Sequence, residues 1–203
     1  MKFVKFKTKE EWLDKRERCI SGTKLKDITP KARGKGRKIG FYQLAADYLA
    51  MPDETVDGRD RGNELEEEGV AELSKEVGIE FIYSENELYI SDNNENMIYS
   101  PDGYTKDYTI TAELKHLGSA RHLEIIDTNE IPNEYWLQVI QSFIVNDKQQ
   151  EHYFCSRDPR VTAKPIWYKH TMRKDIEDEI ELYKQIELDV LKDVLEFVEK
   201  IGF

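Results

Sequence analysis

Asp102 in Ser100-Pro101-Asp102-Gly103, and Glu113 and Lys115 in Ala112-Glu113-Leu114-Lys115, are two carboxylates and an amine that one turn and one strand could bring together. Carboxylate oxygens suit a hard divalent cation, and such a cation on a phosphodiester orients a water and neutralises charge on the leaving oxygen. The pattern therefore points to phosphodiester hydrolysis with one or two Mg²⁺ ions, for which Mn²⁺ could substitute. The main-chain carbonyl of Leu114 offers a further oxygen ligand. Lys115 can hold the attacking water or help to deprotonate it, and its charge is expected to lower the pKa of the neighbouring carboxylates. Taken singly, Ser-Pro-Asp-Gly is an ordinary turn and Glu-X-Lys a solvated strand face; the weight lies in their pairing, eleven positions apart.

The surrounding pattern supplies the elements needed to position these groups. Ile110, Ala112 and Leu114 alternate with Thr111, Glu113 and Lys115, so a strand here puts Glu113 and Lys115 on one face. The Pro-Asp-Gly turn, joined through Tyr104 to Tyr108, can set Asp102 on an adjacent strand end. From 60 to 77 the pattern is helical, with Val70, Leu73 and Val77 on one stripe; one turn back along it lies Glu66, while Glu64, Glu67 and Glu68 fall off it and face water. Glu66 is thus a third inward carboxylate.

Strands are also expected at Ile79–Tyr83, Glu87–Ser91, Met97–Ser100, His152–Ser156 and Ile166–Lys169, with a polar hairpin turn at 92–96. Helices are expected at 9–18 with Trp12, from a cap at Ser21 or Thr23 to Ile28, at Phe41–Met51, at 119–127, from Pro132 to Val145, and from about Arg173 to Lys200. On the last, Ile180, Tyr183, Leu191, Val194, Val198 and Ile201 lie near one face, as on a packed outer helix. The order implies an α/β fold with a mixed central sheet flanked by helices. With no Ser/Gly-rich linker in 203 residues, a single domain over 1–203 is expected.

Net charge is −11, yet Lys24 to Lys38 carries seven Lys/Arg against one Asp, and Lys31–Lys38 reads as a positively charged loop, so the acidity does not exclude a DNA substrate. Cys19 and Cys155 are too few for a four-cysteine metal site or a secreted disulfide framework, which fits a cytoplasmic setting. No segment approaches the roughly 20 apolar residues of a membrane span. His116 and His122 offer a competing metal reading, but their spacing matches neither a zinc finger nor a zincin. Gly34-Lys35-Gly36 lacks the preceding strand and the Ser/Thr of a phosphate-binding P-loop.

The ordered motifs resemble those of phage lambda-type exonucleases, the YqaJ-like viral recombinases of the PD-(D/E)XK nuclease superfamily. The matching pieces are Trp12…Arg16, Ile20-Ser21-Gly22-Thr23, Gly62-x-x-x-Glu66, Ser100-Pro101-Asp102-Gly103, Glu113-Leu114-Lys115, Arg121, Gln138-Val139, Tyr153-Phe154, Asp158-Pro159-Arg160 and Ile201-Gly202-Phe203. The resemblance implies a restriction-endonuclease-like fold, with Glu66, Asp102, Glu113 and the Leu114 carbonyl as metal ligands and Lys115 as a catalytic residue. It implies that Arg16, Thr23, Ser100 and Arg121 grip a DNA 5′-phosphate, a reasonable receptor of two guanidinium and two hydroxyl groups, and that Gln138 contacts substrate. It further implies 5′→3′ digestion of double-stranded DNA to leave 3′ single strands for recombination, a homotrimeric ring, and a single-strand annealing protein as partner of a phage- or prophage-encoded enzyme. An endonuclease or resolvase of the same superfamily, or a DNA-binding protein of this fold without turnover, would carry many of the same motifs. Gln138-Val139-Ile140-Gln141 departs from the family's usual Gln-Val-Gln and His116-Leu117-Gly118 from the Cys-Pro of some relatives, while Thr23 keeps a hydroxyl where serine is usual.

Overall fold

The computed structural model describes residues 1–16 and 58–201. In chain order the elements are β1 (Lys2–Lys5), α1 (Lys9–Arg16), α2 (Gly58–Val77), β2 (Ile82–Tyr83), β3 (Glu87–Ile90), β4 (Ile98–Tyr99), β5 (Gly103–Tyr104), β6 (Ile110–His116), α3 (Ser119–Thr128), α4 (Asn133–Val145), β7 (Glu151–Arg157), β8 (Ile166–Met172) and α5 (Glu177–Ile201), the last preceded by a 3₁₀ turn at Arg173–Asp175. The expected helices ending at Ile28 and spanning Phe41–Met51, and the basic loop Lys31–Lys38, lie outside the described residues.

The alternating segment around Glu113 forms β6, central in a five-stranded sheet of order β2-β5-β6-β7-β8. β6 and β7 run parallel, with Glu113 opposite Phe154, and the other neighbours pair antiparallel, so the sheet is mixed as expected. A parallel pair needs a long crossover, which α3 and α4 supply. Because side chains alternate across a strand, Ala112 and Leu114 turn to one face. There they pack with Val70 and Leu73 of α2, Phe81, Tyr153 and Cys155. Phe154 turns to the opposite face and joins Ile140, Phe143 and Ile144 of α4 and Ile180 and Leu191 of α5 in the larger core. Helices therefore cover both faces, and each fully buried aliphatic or aromatic side chain contributes about 1.5–3 kcal/mol by leaving water.

Local chemistry sets the ends of α2. Gly78 takes the left-handed conformation at φ 72° and its N–H donates 3.0 Å to the Ser74 carbonyl, which closes the helix. The Ser74 hydroxyl accepts the Phe81 N–H at 3.2 Å and so ties the helix end to the approach of β2. On the sheet side Gly69 is the point of closest approach: a Cβ there would lie 2.5 Å from Leu114 Cδ2.

A second sheet, β1-β3-β4, was not legible as a separate unit. β1 pairs with β3 from Lys2↔Ile90 to Lys5↔Glu87, although its sequence reads as charged throughout. Its Phe3 meets Tyr89, Tyr104 and Tyr108 at centroid distances of 5.8, 5.6 and 5.5 Å. On α5, Ile180 and Leu191 are buried and Tyr183 packs on the core as expected, but Val194 is 52 % exposed. Glu187, outside the apolar stripe proposed from sequence, is fully buried in its place.

Candidate active site

β5 begins only at Gly103, opposite Ala112, so β6 has no antiparallel neighbour from the position where its charged residues begin. The turn before β5 closes that edge with a side chain. The Asp102 N–H donates to the Ala112 carbonyl at 3.1 Å, and Asp102 Oδ2 accepts the Leu114 N–H at 2.6 Å. Since the N–H and C=O of one strand residue point to the same side, the Leu114 carbonyl also faces the Asp102 side. One turn beyond Val70, α2 carries Glu66 to the same place.

The result is a cleft of about 560 Å³ lined by Glu66, Asp102, Glu113, Lys115, Ser100 and Gln138, with Lys9 and Trp12 of α1 and Tyr83 on its walls. Glu67 and Glu68 are exposed, as the helical stripe requires, and Glu68 meets Arg157 at 3.1 Å. The Glu64 side chain lies outside the described residues.

Within the cleft Glu113 is held at both oxygens. Lys115 Nζ donates to Oε1, and the buried Tyr99 hydroxyl donates to Oε2 at 2.9 Å. The ammonium of Lys115 also lies 5.7 Å from the Tyr135 ring centroid, close enough for attraction to the ring face. Tyr135 in turn stacks on Phe154 at 5.5 Å.

Burial in the cleft governs the electrostatics, with repulsion between its carboxylates adding to it. Burial raises the Asp102 carboxyl well above its usual range, and Glu113 raises it further against the pull of Lys115. Burial likewise raises Glu66, with Lys115 opposing and Glu113 adding to the rise. The lysine does lower these carboxylates as expected, but desolvation together with mutual repulsion outweighs one cation. Burial works against the Lys115 ammonium, but Glu113 and Asp102 together hold its pKa above the usual lysine value. Lys115 is a charged donor to Glu113 in this arrangement. Burial and the nearby Glu66 push the Tyr83 phenol up to about 12.

This donor set fits a hard divalent cation, since all its ligating atoms are oxygens and a cation would offset the burial and mutual repulsion that raise Glu66 and Asp102. As placed, no three His, Cys, Asp or Glu side chains among the described residues are gathered tightly enough to hold an ion. Lys115 Nζ instead sits on Glu113 Oε1.

The other expected site residues divide. Ser100 lines the cleft, and its hydroxyl donates to the Glu87 carbonyl at 2.7 Å. Gln138 is buried on α4 and lines the cleft from the opposite side. Arg121, on α3, is not among the cleft-lining residues; its guanidinium donates to Glu124 and, at 2.9 Å, to Glu134. The Arg16 side chain and Thr23 lie outside the described residues. Gln141 is structural, its Nε2 donating to the Ile98 carbonyl at 3.3 Å and to Glu187 Oε2 at 3.4 Å. His122 is buried with both ring nitrogens engaged, by the Ser156 hydroxyl and the Lys164 carbonyl, each at 2.8 Å, so the histidine-metal reading fails there. Asp158 is fully buried and accepts from Ser119 at 2.6 Å and from the Arg160 guanidinium, which makes Asp158-Pro159-Arg160 a brace. Sequence reasoning missed Tyr99, Tyr83, Tyr135, Lys9 and the placing of Trp12. Tyr99 directly precedes the Ser-Pro-Asp-Gly turn, and that adjacency was the one available signal.

Comparison with known proteins places this arrangement. The fold matches the crystal structure of an alkaline exonuclease from Laribacter hongkongensis at TM-score 0.70 and 24 % identity, covering 95 % of this chain and 97 % of that one. The same enzyme in complex with dAMP matches at TM-score 0.69 and 23 % identity over the same shares. A phage-related exonuclease from Haemophilus somnus 129PT matches at TM-score 0.51 and 12 % identity, covering 89 % of this chain and 96 % of that one. At these identities the likeness is one of fold. No curated protein matches in sequence. The family model described as the YqaJ-like viral recombinase domain matches residues 11–149, more than half of the sequence and the stretch that carries Glu66, Asp102, Glu113 and Lys115, and the chain belongs to that family.

Proposed function

We propose that this protein is a Mg²⁺-dependent exonuclease that digests one strand of double-stranded DNA in the 5′→3′ direction and leaves a 3′ single strand for recombination. The convergence of Glu66, Asp102, Glu113 and Lys115 on one cleft, at the edge of β6 that lies just ahead of the start of β5, is the observation that carries this reading. Membership of a viral recombinase family and a fold shared with two exonucleases support it. The relative described with dAMP supports a cleft matched to one nucleotide at a time.

Glu66, Asp102, Glu113 and the Leu114 carbonyl would hold one or two Mg²⁺ ions, or Mn²⁺, which supply charge neutralisation at the leaving oxygen and orient the attacking water. The protein's own groups do the rest. Lys115, kept protonated by Glu113 and Asp102, donates to a non-bridging phosphate oxygen or to the water, and so stabilises charge that develops there. Tyr135 limits where the ammonium can swing when it leaves Glu113. Arg16, Thr23, Ser100 and Arg121 receive the 5′-phosphate, which requires Arg121 to exchange Glu124 and Glu134 for the incoming anion. Gln138, on the wall opposite Glu66, contacts the terminal nucleotide.

An acidic chain stays on DNA if topology retains it, so the same reading includes a trimeric ring with Lys31–Lys38 on its inner surface and a phage-type annealing protein that takes up the 3′ strand. It also treats residues 1–203 as one nuclease domain acting in the bacterial cytoplasm. The test is end-labelled linear duplex beside covalently closed circular DNA, each with Mg²⁺ and with EDTA. Loss of label from the linear substrate alone, dependent on Mg²⁺, is expected. Nicking of the circle would instead identify an endonuclease or resolvase, and no metal-stimulated cleavage of either would leave a DNA-binding protein.

A further inference from the structure

We propose that Tyr99 is a positioning residue that orients Glu113 for the divalent cation, and this rests on the metal-centre reading above. Tyr99 belongs to β4 of the smaller sheet, whereas Glu113 belongs to β6 of the larger one, so their hydrogen bond crosses from one sheet to the other. The tyrosine is well fixed. It is 3 % exposed, pairs with Tyr89 across β3 and β4, and packs edge-to-face on the Tyr89 ring at 6.4 Å. A flexible glutamate is thereby tied to a rigid phenol.

The bond divides the labour of the two Glu113 oxygens. Oε1 is the one that Lys115 holds, and Lys115 is long, flexible and only partly buried, so it can leave. Oε2 is held at 2.9 Å by a buried hydroxyl that cannot. A phenol donor fixes direction without adding charge, so once Lys115 turns to phosphate the carboxylate is still aimed into the cleft. The neighbouring Ser100 is fixed within the smaller sheet itself, its hydroxyl donating to the Glu87 carbonyl of β3.

Tyr99→Phe removes one hydroxyl and keeps the ring. We expect it to fold as the wild type does, with a melting temperature within a few degrees, and to bind Mn²⁺ about 10-fold more weakly by titration calorimetry. On linear duplex, half-saturation by Mg²⁺ should rise by a similar factor, with activity recovered at high Mg²⁺ and the KM for DNA unchanged. Equal Mn²⁺ affinity and an equal Mg²⁺ requirement in the two proteins would overturn the role of Tyr99 while leaving the metal centre intact. Absence of Mn²⁺ binding by the wild type, with Glu113→Ala as its reference, would overturn the metal centre and this proposal together. Loss of folded protein in Tyr99→Phe would also overturn it, because the bond would then serve to hold the sheets together.

Discussion

Glu187→Gln should make the protein more stable at alkaline pH and hardly change it in acid. Glu187 lies on α5 within the larger core, with no exposed surface. Its Oε2 accepts from Gln141 at 3.4 Å, and its Oε1 has no hydrogen-bond partner among the described residues. Burial beside one neutral donor raises the carboxyl from 4.5 to about 8. In the unfolded chain the proton leaves near pH 4.5, whereas the folded protein keeps it to about pH 8. The unfolded state binds fewer protons in that window, so stability falls as pH rises through it, at about 1.4 kcal/mol per pH unit. The loss approaches about 3 kcal/mol at pH 7 and, as an upper bound, about 5 kcal/mol above pH 8. Glutamine keeps the shape and can accept the same hydrogen bond but has no proton to lose. Urea denaturation of both proteins at pH 5, 6, 7 and 8 measures the effect, because every other titrating group contributes equally to both and cancels in the difference. The variant should gain on the wild type at each step. A difference that stays flat from pH 5 to pH 8 would refute the account of Glu187 as a buried, uncompensated acid.

Asp102→Asn should abolish metal-stimulated cleavage yet raise the melting temperature in EDTA, because it removes the most crowded carboxyl while its amide oxygen can still accept the Leu114 N–H; a lower melting temperature would contradict the repulsion argument. Arg121→Ala should slow digestion of 5′-phosphorylated ends about 10-fold or more and leave 5′-hydroxyl ends nearly unaffected. Its partly exposed ion pairs with Glu124 and Glu134 should contribute no more than about 1 kcal/mol to stability, read from the same denaturation curves. Leu73→Ala, at a position with no exposed surface between α2 and β6, should cost about 2–5 kcal/mol, seen as a lower urea midpoint with an unchanged slope.

What the sequence disclosed, and what it hid, follows from the range of the physics involved. Period-two alternation in 110–116 and the three-and-four spacing of Val70, Leu73 and Val77 are local, and they located β6, α2 and the inward turn of Glu66. β1 was missed because Lys2 and Lys5 dominate its composition, while its strand character comes from pairing with β3, more than eighty residues away. β5 was missed because two residues carry no period. Electrostatics were legible only in part for a similar reason. A lysine two positions from a glutamate lowers nearby carboxylates as the sequence suggests, but burial of Asp102 and Glu66 is a property of the folded cleft and outweighs it. The sequence offered only Tyr99's adjacency to the Ser-Pro-Asp-Gly turn, and its bond to Glu113 shows in three dimensions alone, since that partner lies fourteen residues away and on another sheet.

The late start of β5 has a further consequence, for solubility. A strand that loses its neighbour exposes unpaired amides and carbonyls to any passing chain, and proteins commonly guard such edges with charge or a covering side chain. Here the guard is the cleft itself: Asp102 occupies the Leu114 amide, and Glu113 and Lys115 put opposite charges beside the open edge. Substitutions that erase those charges together, Glu113 and Lys115 to apolar residues for instance, would leave a bare strand edge, and the inactive protein would self-associate more readily than the active one.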